Sequence, residues 1–130
     1  MTLRLILGDQ LNESHPWFCQ PADPDVCYVL MEIQPEVTYA CHHIQKVLAF
    51  FAAMRLFAAH LETLGHRVTY LRFDDPANLH SFAANCRALI RREGIQRFEY
   101  LLPDEYRLDE LLKDFCQSLD IPWSVSDTHH

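Results

Sequence analysis

Five short apolar segments alternate with longer segments of helical periodicity along the chain. The apolar segments are bounded by turn residues and contain few charges, which is typical of strands buried on both faces of a parallel sheet. They cover Leu3–Leu7, Val26–Met31, Val68–Phe73, Phe98–Leu102 and Pro122–Val125.

Three of the intervening segments repeat apolar residues every three or four positions, as amphipathic helices do. They cover His43–Leu64, Asn78–Arg92 and Asp104–Leu119. Gly65 and Gly94 follow the first two segments and are predicted to terminate helices, and Asn78 is the predicted N-cap of the second. The segment Gln10–Asp25 is polar and contains proline, so it is predicted to be mainly loop with room for a short helix.

Strands that alternate with longer helices predict right-handed βαβ units. We therefore expect a single α/β domain over residues 1–130, built on a doubly wound, five-stranded parallel sheet flanked by helices. In such sheets ligands bind outside the carboxyl ends of the strands, where the strand order reverses. The loops that follow the strands are therefore the places to look for function.

Composition and charge exclude several classes of protein. The chain is 49% hydrophobic and 22% charged, as globular domains are, and 11 Lys and Arg against 18 Asp and Glu give a net charge of −7. Because the chain has no cluster of basic residues, we expect no direct binding of nucleic acid. No apolar run approaches the roughly 20 residues of a membrane span, and the first residues are too short an apolar stretch for a signal peptide. We expect a cytoplasmic protein.

The candidate binding loops lack familiar catalytic and metal-binding patterns. Gly8-Asp9-Gln10 follows the first strand, but neither glycine-rich phosphate motif is present. Glu32 and Glu36 follow the second strand without a converging His or Asp cluster. The five cysteines are widely spaced, so neither a zinc nor an iron–sulfur site is predicted. These residues predict a small-molecule-binding domain with no catalytic residues and no metal site of its own.

Several ordered fragments resemble one known family. They are Leu5-Ile6-Leu7-Gly8-Asp9-Gln10-Leu11, Glu36-x-x-Tyr39-x-x-His42-His43-x-x-Lys46, Ala53-Met54-Arg55-x-Phe57-Ala58, Gly65-x-Arg67-Val68 followed by Asp74-Asp75, and Pro103-x-Glu105-Tyr106-Arg107. Together they span nearly the whole chain. The set resembles the start of the bacterial photolyase-related proteins, which include the iron–sulfur bacterial cryptochromes and (6-4) photolyases.

This resemblance implies a Rossmann-like antenna domain without catalysis of its own. In that family a larger helical domain follows, which holds FAD, a [4Fe–4S] cluster and the DNA-binding face, and we expect it to be absent from this chain. The parent protein would resemble a DNA photolyase, a lyase, or a blue-light receptor. The implied ligand here is the antenna pigment 6,7-dimethyl-8-ribityllumazine, which passes excitation to the flavin.

The resemblance also implies the pigment-binding residues. They are Gly8, Asp9, Gln10, Met31, Glu32, Glu36 and Phe50. The first three would border the ring and ribityl chain, Met31 and Glu32 would lie beneath them, Glu36 would bind the polar edge, and Phe50 would face the pigment from the long helix. The expected partner is the absent FAD domain, whose docking surface would be left exposed as an apolar patch that promotes self-association.

Two other functions stay open from the residues alone. A stand-alone module that binds a nucleotide or flavin derivative would suit the fold, although it would usually have a glycine-rich phosphate loop. A small metal-dependent hydrolase would use Asp9 or Glu36, and a metal-dependent activity lost in Asp9→Ala would identify it.

Overall fold

A parallel sheet of five strands in the order β3-β2-β1-β4-β5 forms the centre of the molecule. The computed structural model describes residues 1–7, 11, 15–19, 21–33, 42–103 and 106–126, with the backbone alone for 42–48, 50, 106 and 107. The strands are β1 (Thr2–Leu5), β2 (Val26–Met31), β3 (Arg67–Leu71), β4 (Arg97–Leu101) and β5 (Trp123–Ser126). The helices are α1 (Pro16–Cys19), α2 (His42–Thr63), α3 (Phe82–Glu93) and α4 (Tyr106–Gln117).

The strand order confirms the predicted doubly wound α/β fold. Each neighbouring pair of strands is parallel. The chain moves from β1 outward to β3, crosses back to β4 on the other side of β1, and ends at β5. The order therefore reverses between β1 and β4, and the carboxyl ends of the strands form the edge at which ligands bind in such folds. We call this the carboxyl edge.

Helices cover both faces of the sheet, which explains why the strands are so apolar. On one face, Met54, Phe57 and Leu61 of α2 pack with Tyr28 and other buried side chains of the strands. On the other face, buried residues of α3 and α4 pack against β1, β2 and β4. All six residues of β2 are buried, as expected for a strand enclosed on both faces. In the described part of the chain, no helix is both long and apolar enough to cross a membrane.

Both predicted glycine terminators are confirmed. Gly65 has a φ of 92° and Gly94 a φ of 64°, the left-handed conformation that glycine adopts without a steric penalty. After α2, the Gly65 N–H donates to the Glu62 carbonyl (3.0 Å) and the His66 N–H to the Leu61 carbonyl (3.1 Å). This pair of bonds is a Schellman motif, which satisfies carbonyls at the helix end.

Asn78 is not the N-cap of α3, and this prediction was wrong. The helix begins at Phe82, and the Ser81 hydroxyl caps it by accepting a hydrogen bond from the Ala84 N–H (3.2 Å). Instead, the Asn78 side chain is buried and donates to the carbonyls of Glu32 and Arg72, just beyond the ends of β2 and β3. Because these bonds hold Asn78 outside the helix, α3 begins four residues later than predicted.

The remaining differences concern the ends of elements. The predicted third strand continued to Phe73, but β3 ends at Leu71 because the Phe73 N–H donates to the Glu32 side chain rather than to a strand. The short α1 lies inside the segment predicted to be mainly loop. The predicted helix Asp104–Leu119 is observed as Tyr106–Gln117, and residues 104–105 lie outside the described residues.

Candidate functional site

An ionic network around one buried carboxylate lies at the carboxyl edge, where β2 and β3 end, and its cationic partner Arg55 is half exposed. Glu32 directly follows β2 and is 0% exposed. Its carboxylate accepts two hydrogen bonds from Arg55 of α2, from Nε to Oε2 at 2.6 Å and from Nη2 to Oε1 at 2.9 Å. A bidentate Arg–carboxylate pair combines charge attraction with fixed geometry. The pair therefore joins α2 to the end of β2.

Two further donors complete the coordination of this carboxylate. The Tyr70 hydroxyl of β3 donates to Oε2 at 2.5 Å, and the Phe73 N–H donates to Oε1 at 2.8 Å. The Tyr70 hydroxyl also lies 3.4 Å from the Phe51 carbonyl of α2. A carboxylate has about four lone-pair positions, and all of those of Glu32 are now used. Glu32 thus positions β2, β3 and α2 relative to one another.

The electrostatics of the network favour an ionised Glu32. Burial raises the pKa of this carboxyl group, but the hydrogen bonds from Arg55, Tyr70 and the Phe73 N–H, with the Arg55 charge, lower it below its ordinary value overall. Burial and the adjacent Glu32 carboxylate raise the pKa of Tyr70, so its hydroxyl remains a donor. The hydrogen bonds with Glu32 raise the pKa of Arg55. The network is thus a charge-neutral ion pair at neutral pH.

A second polar network fixes the loop between β3 and α3. The Asn78 amide donates to the Glu32 carbonyl at 2.8 Å and to the Arg72 carbonyl at 3.0 Å. Asn85 of α3 donates to the Asn78 Oδ1 at 2.9 Å and to the Met31 sulfur at 3.3 Å. Asn78 and Asn85 are 6% and 1% exposed, so these are bonds that water does not replace. Residues 72–81 are therefore held firmly against the end of β2.

The predicted pigment residues divide into two groups. Gly8, Asp9, Gln10 and Glu36 lie outside the described residues, and Phe50 is described only by its backbone in α2, one position before Phe51. Their proposed contacts stay predictions.

Met31 and Glu32 do lie at the carboxyl edge, but on different sides of the sheet. Met31 is buried in the core beneath α3 and α4, and Glu32 contacts Arg55 of α2. Since the Glu32 carboxylate is saturated by protein donors, its observed contacts are those of a positioning residue. A direct role for either residue in binding a pigment stays a prediction.

Sequence reasoning missed the partners of Glu32. They are Arg55, Tyr70 and Asn78, and Asn85 in turn holds Asn78. Arg55 did give a signal, since it is a charged residue within a long apolar helical segment. The two asparagines gave none, because asparagine before or within a predicted helix is ordinarily a cap or a solvent-facing side chain.

Two other polar features lie away from this edge. Arg4 of β1 donates to Glu99 of β4 at 2.8 Å, and its guanidinium lies 4.6 Å from the Trp17 ring centroid. Arg97 and Ser124 also donate to Glu99, so this cluster is internally satisfied. It stabilises the centre of the sheet.

The described structure also contains a cavity of about 360 Å³ at the opposite edge of the sheet, near the starts of β2 and β3. Its lining mixes acidic and basic side chains, including Glu62, Arg67 and Glu93. Over the described ranges, no group of three or more His, Cys, Asp or Glu side chains could hold a metal ion. The carboxyl edge, which the Glu32 network supports, is the candidate site because ligands bind at this edge in doubly wound folds.

Comparison with known proteins gives two findings. Residues 4–130 match the family described as Deoxyribodipyrimidine photo-lyase-related protein. The chain is also 34% identical over 119 residues to a protein named (6-4) photolyase from Agrobacterium fabrum, and the match covers 92% of this chain and 24% of that relative. The chain thus spans about a quarter of the length of the curated relative that it matches.

Proposed function

The chain belongs to the deoxyribodipyrimidine photo-lyase-related protein family, and from this premise we propose that it is the antenna domain of a photolyase-related protein. In this proposal it binds 6,7-dimethyl-8-ribityllumazine at the carboxyl edge and performs no catalysis of its own. The parent protein uses light either to repair DNA or to signal. FAD and a [4Fe–4S] cluster belong to its helical domain.

The observation that carries the proposal is the family match over residues 4–130 of a doubly wound domain. In this fold class ligands bind outside the carboxyl ends of the strands, beside the loops that follow them. Gly8, Asp9 and Gln10 follow β1, and Glu36 follows β2. The Glu32 network holds the end of β2 against α2, which carries Phe50. A rigid base of this kind reduces the entropy lost when a ligand binds.

The residue types present fit the proposed pigment and not the iron–sulfur cluster. Aromatic side chains at the carboxyl edge, such as Phe51 and Phe73, suit a planar conjugated ring. Gln10, Asp9 and Glu36 offer groups for the ring edge and the ribityl hydroxyls. The pigment would supply absorption of near-ultraviolet to blue light. By contrast, the five cysteines are too widely spaced along the sequence for a four-cysteine cluster motif.

The proposed partner is the FAD domain, and the outer face of α2 is a candidate docking surface. This face is exposed and uncharged, with Ala49, Ala52, Leu56 and Ala59 on successive turns, and Leu56 is 74% exposed. A long helix that is apolar on both its inner and outer sides is usually covered on both. We assign the protein to the cytoplasm, in keeping with the thiols of Cys27, Cys86 and Cys116, which form no disulfide in the described part of the chain.

Titration of the full chain with 6,7-dimethyl-8-ribityllumazine, followed by pigment fluorescence, tests the proposal. We expect micromolar or tighter binding that is lost in Glu36→Ala and retained in Glu62→Ala, an exposed glutamate of α2. A Phe50→Ala variant measures how far the Phe50 side chain restricts access of the pigment to the site. If neither the parent chain nor Phe50→Ala binds the pigment, the antenna function is wrong. Binding of FMN instead would favour the module for flavin derivatives.

A further inference from the structure

Three aromatic side chains form a partly exposed surface at the carboxyl edge beside β3. Phe73 lies just beyond β3 and is 42% exposed. Its ring centroid is 6.0 Å from that of Phe51 of α2 and 4.9 Å from that of His80, with the His80 ring nearly perpendicular at 73°. We call Phe51, Phe73 and His80 the aromatic lip. Leu79, beside His80 in the chain, is 55% exposed.

His80 is held in an unusual backbone conformation. Its φ is 55°, and no other non-glycine residue in the described ranges has a positive φ. For an L-residue this left-handed conformation costs about 1 kcal/mol or more. The His80 N–H donates to the Asn78 Oδ1 at 2.9 Å, and Asn78 is itself held by Glu32 and Asn85. The buried network therefore imposes the conformation that places the imidazole against Phe73.

Phe73 is fixed by the same network. Its N–H donates to the Glu32 carboxylate, and its ring packs on Phe51, whose carbonyl lies near the Tyr70 hydroxyl. The backbones that carry Phe51, Phe73 and His80 are thus all tied to Glu32 or to its partners. An exposed aromatic surface on such a rigid base is preorganised for contact with another flat group.

We propose that a planar heteroaromatic ring stacks on the aromatic lip, which forms one side of the ligand site. Phe73 is the residue that contacts the face of this ring, and His80 forms the edge of the lip. This inference rests on the proposed function, because it assigns the ring of that ligand a position. Aromatic side chains bind conjugated rings through offset stacking and edge contacts, and tolerate different heterocycles because every such ring has a π face. Asn78 acts here as a positioning residue.

Substitutions of Phe73 and His80 in the full chain test this proposal. We expect Phe73→Leu to weaken binding of 6,7-dimethyl-8-ribityllumazine about tenfold, and Phe73→Tyr to retain it. His80→Gly is the sharper variant, because glycine accepts a φ of 55° without strain. We expect its Tm to be unchanged or higher while pigment binding weakens several-fold. The matched control is Leu64→Ala, which removes another exposed apolar side chain, just beyond the end of α2.

Parallel titrations with FMN separate failure of the lip from failure of the proposed function. If the parent chain, Phe73→Leu and His80→Gly all bind the lumazine equally well, the stacking role of the lip is wrong and the antenna function stands. If the parent chain binds only FMN, and Phe73→Leu weakens that binding, the stacking role of the lip stands and the pigment assignment is wrong. Binding of neither compound overturns both. A Phe73→Leu effect on self-association alone, measured by sedimentation, identifies a protein contact and overturns the lip.

Discussion

Glu32 is the residue on which the carboxyl edge depends most. Replacing it with Gln removes the ion pair with Arg55 and one acceptor oxygen, and because the Arg55 side chain is 46% exposed we expect a loss of about 2 kcal/mol of unfolding free energy at pH 7. The pKa of Glu32 is lower in the folded protein than its ordinary value. The stabilisation is therefore present above the ordinary pKa of about 4.3 and is lost as the pH falls through the folded value.

The Tm of the parent chain and of Glu32→Gln, followed from pH 7 to pH 3, tests this expectation. The two curves should converge at acid pH, since only the parent chain has this carboxylate to protonate. Glu99 also has a lowered pKa, because hydrogen bonds from Arg4 and other donors outweigh the effect of its burial, so some acid sensitivity remains in the variant. Glu62→Gln is the control. A gap that stays constant with pH would contradict the assignment.

Two buried tyrosines offer a matched comparison of hydrogen-bonded and unpaired hydroxyls. The Tyr28 hydroxyl donates to the Trp17 carbonyl at 3.1 Å and accepts from Arg4 at 3.0 Å. The Tyr100 hydroxyl is buried without a partner in the described structure, and burial raises the pKa of Tyr100 to about 12. We expect Tyr28→Phe to cost about 1 kcal/mol and Tyr100→Phe to be neutral or stabilising, as measured by urea unfolding. Equal losses would mean that Tyr100 has a partner.

At the scale of elements, the start of α3 separates a residue that caps the helix from one that was wrongly predicted to do so. Ser81 caps α3, so we expect Ser81→Ala to lower the unfolding free energy by about 1 kcal/mol and Ser81→Asp to preserve it. Asn78→Ala should cost more, because it removes the donor to the buried Glu32 carbonyl and one of the two donors to the Arg72 carbonyl. Equilibrium unfolding in urea ranks the three variants. A smaller loss for Asn78→Ala than for Ser81→Ala would contradict the stabilising role assigned to the Asn78 hydrogen bonds.

The elements themselves could be predicted because their signals are local. β2 was predicted with its observed bounds, since it is buried on both faces and therefore apolar throughout. Gly65 and Gly94 marked helix ends because a left-handed residue there favours glycine. The end of β3 and the start of α3 could not be predicted, because Glu32, distant in sequence, captures the Phe73 N–H and the Asn78 amide.

At the scale of the whole molecule, the sequence predicted the fold and its carboxyl edge but not the bonds around Glu32. The alternation of strands and helices predicted the carboxyl edge, and Glu32 was named there. Arg55, Tyr70 and Asn78 come from α2, β3 and the loop after β3. Their meeting at one carboxylate depends on the strand order and on the packing of α2, which a single sequence does not specify. Contacts between distant segments are what the structure adds.

The outer face of α2 gives the last prediction at this scale. If it is a docking surface, the isolated chain should self-associate weakly through it, because Leu56 and its alanine neighbours expose apolar area to water. Leu56→Glu should abolish this association in sedimentation velocity while changing the unfolding free energy by no more than about 0.5 kcal/mol, as exposed substitutions do. Leu64→Glu, an exposed leucine off this face, should have no such effect on association. Equal effects of the two variants would show that added charge alone, and not this face, controls association.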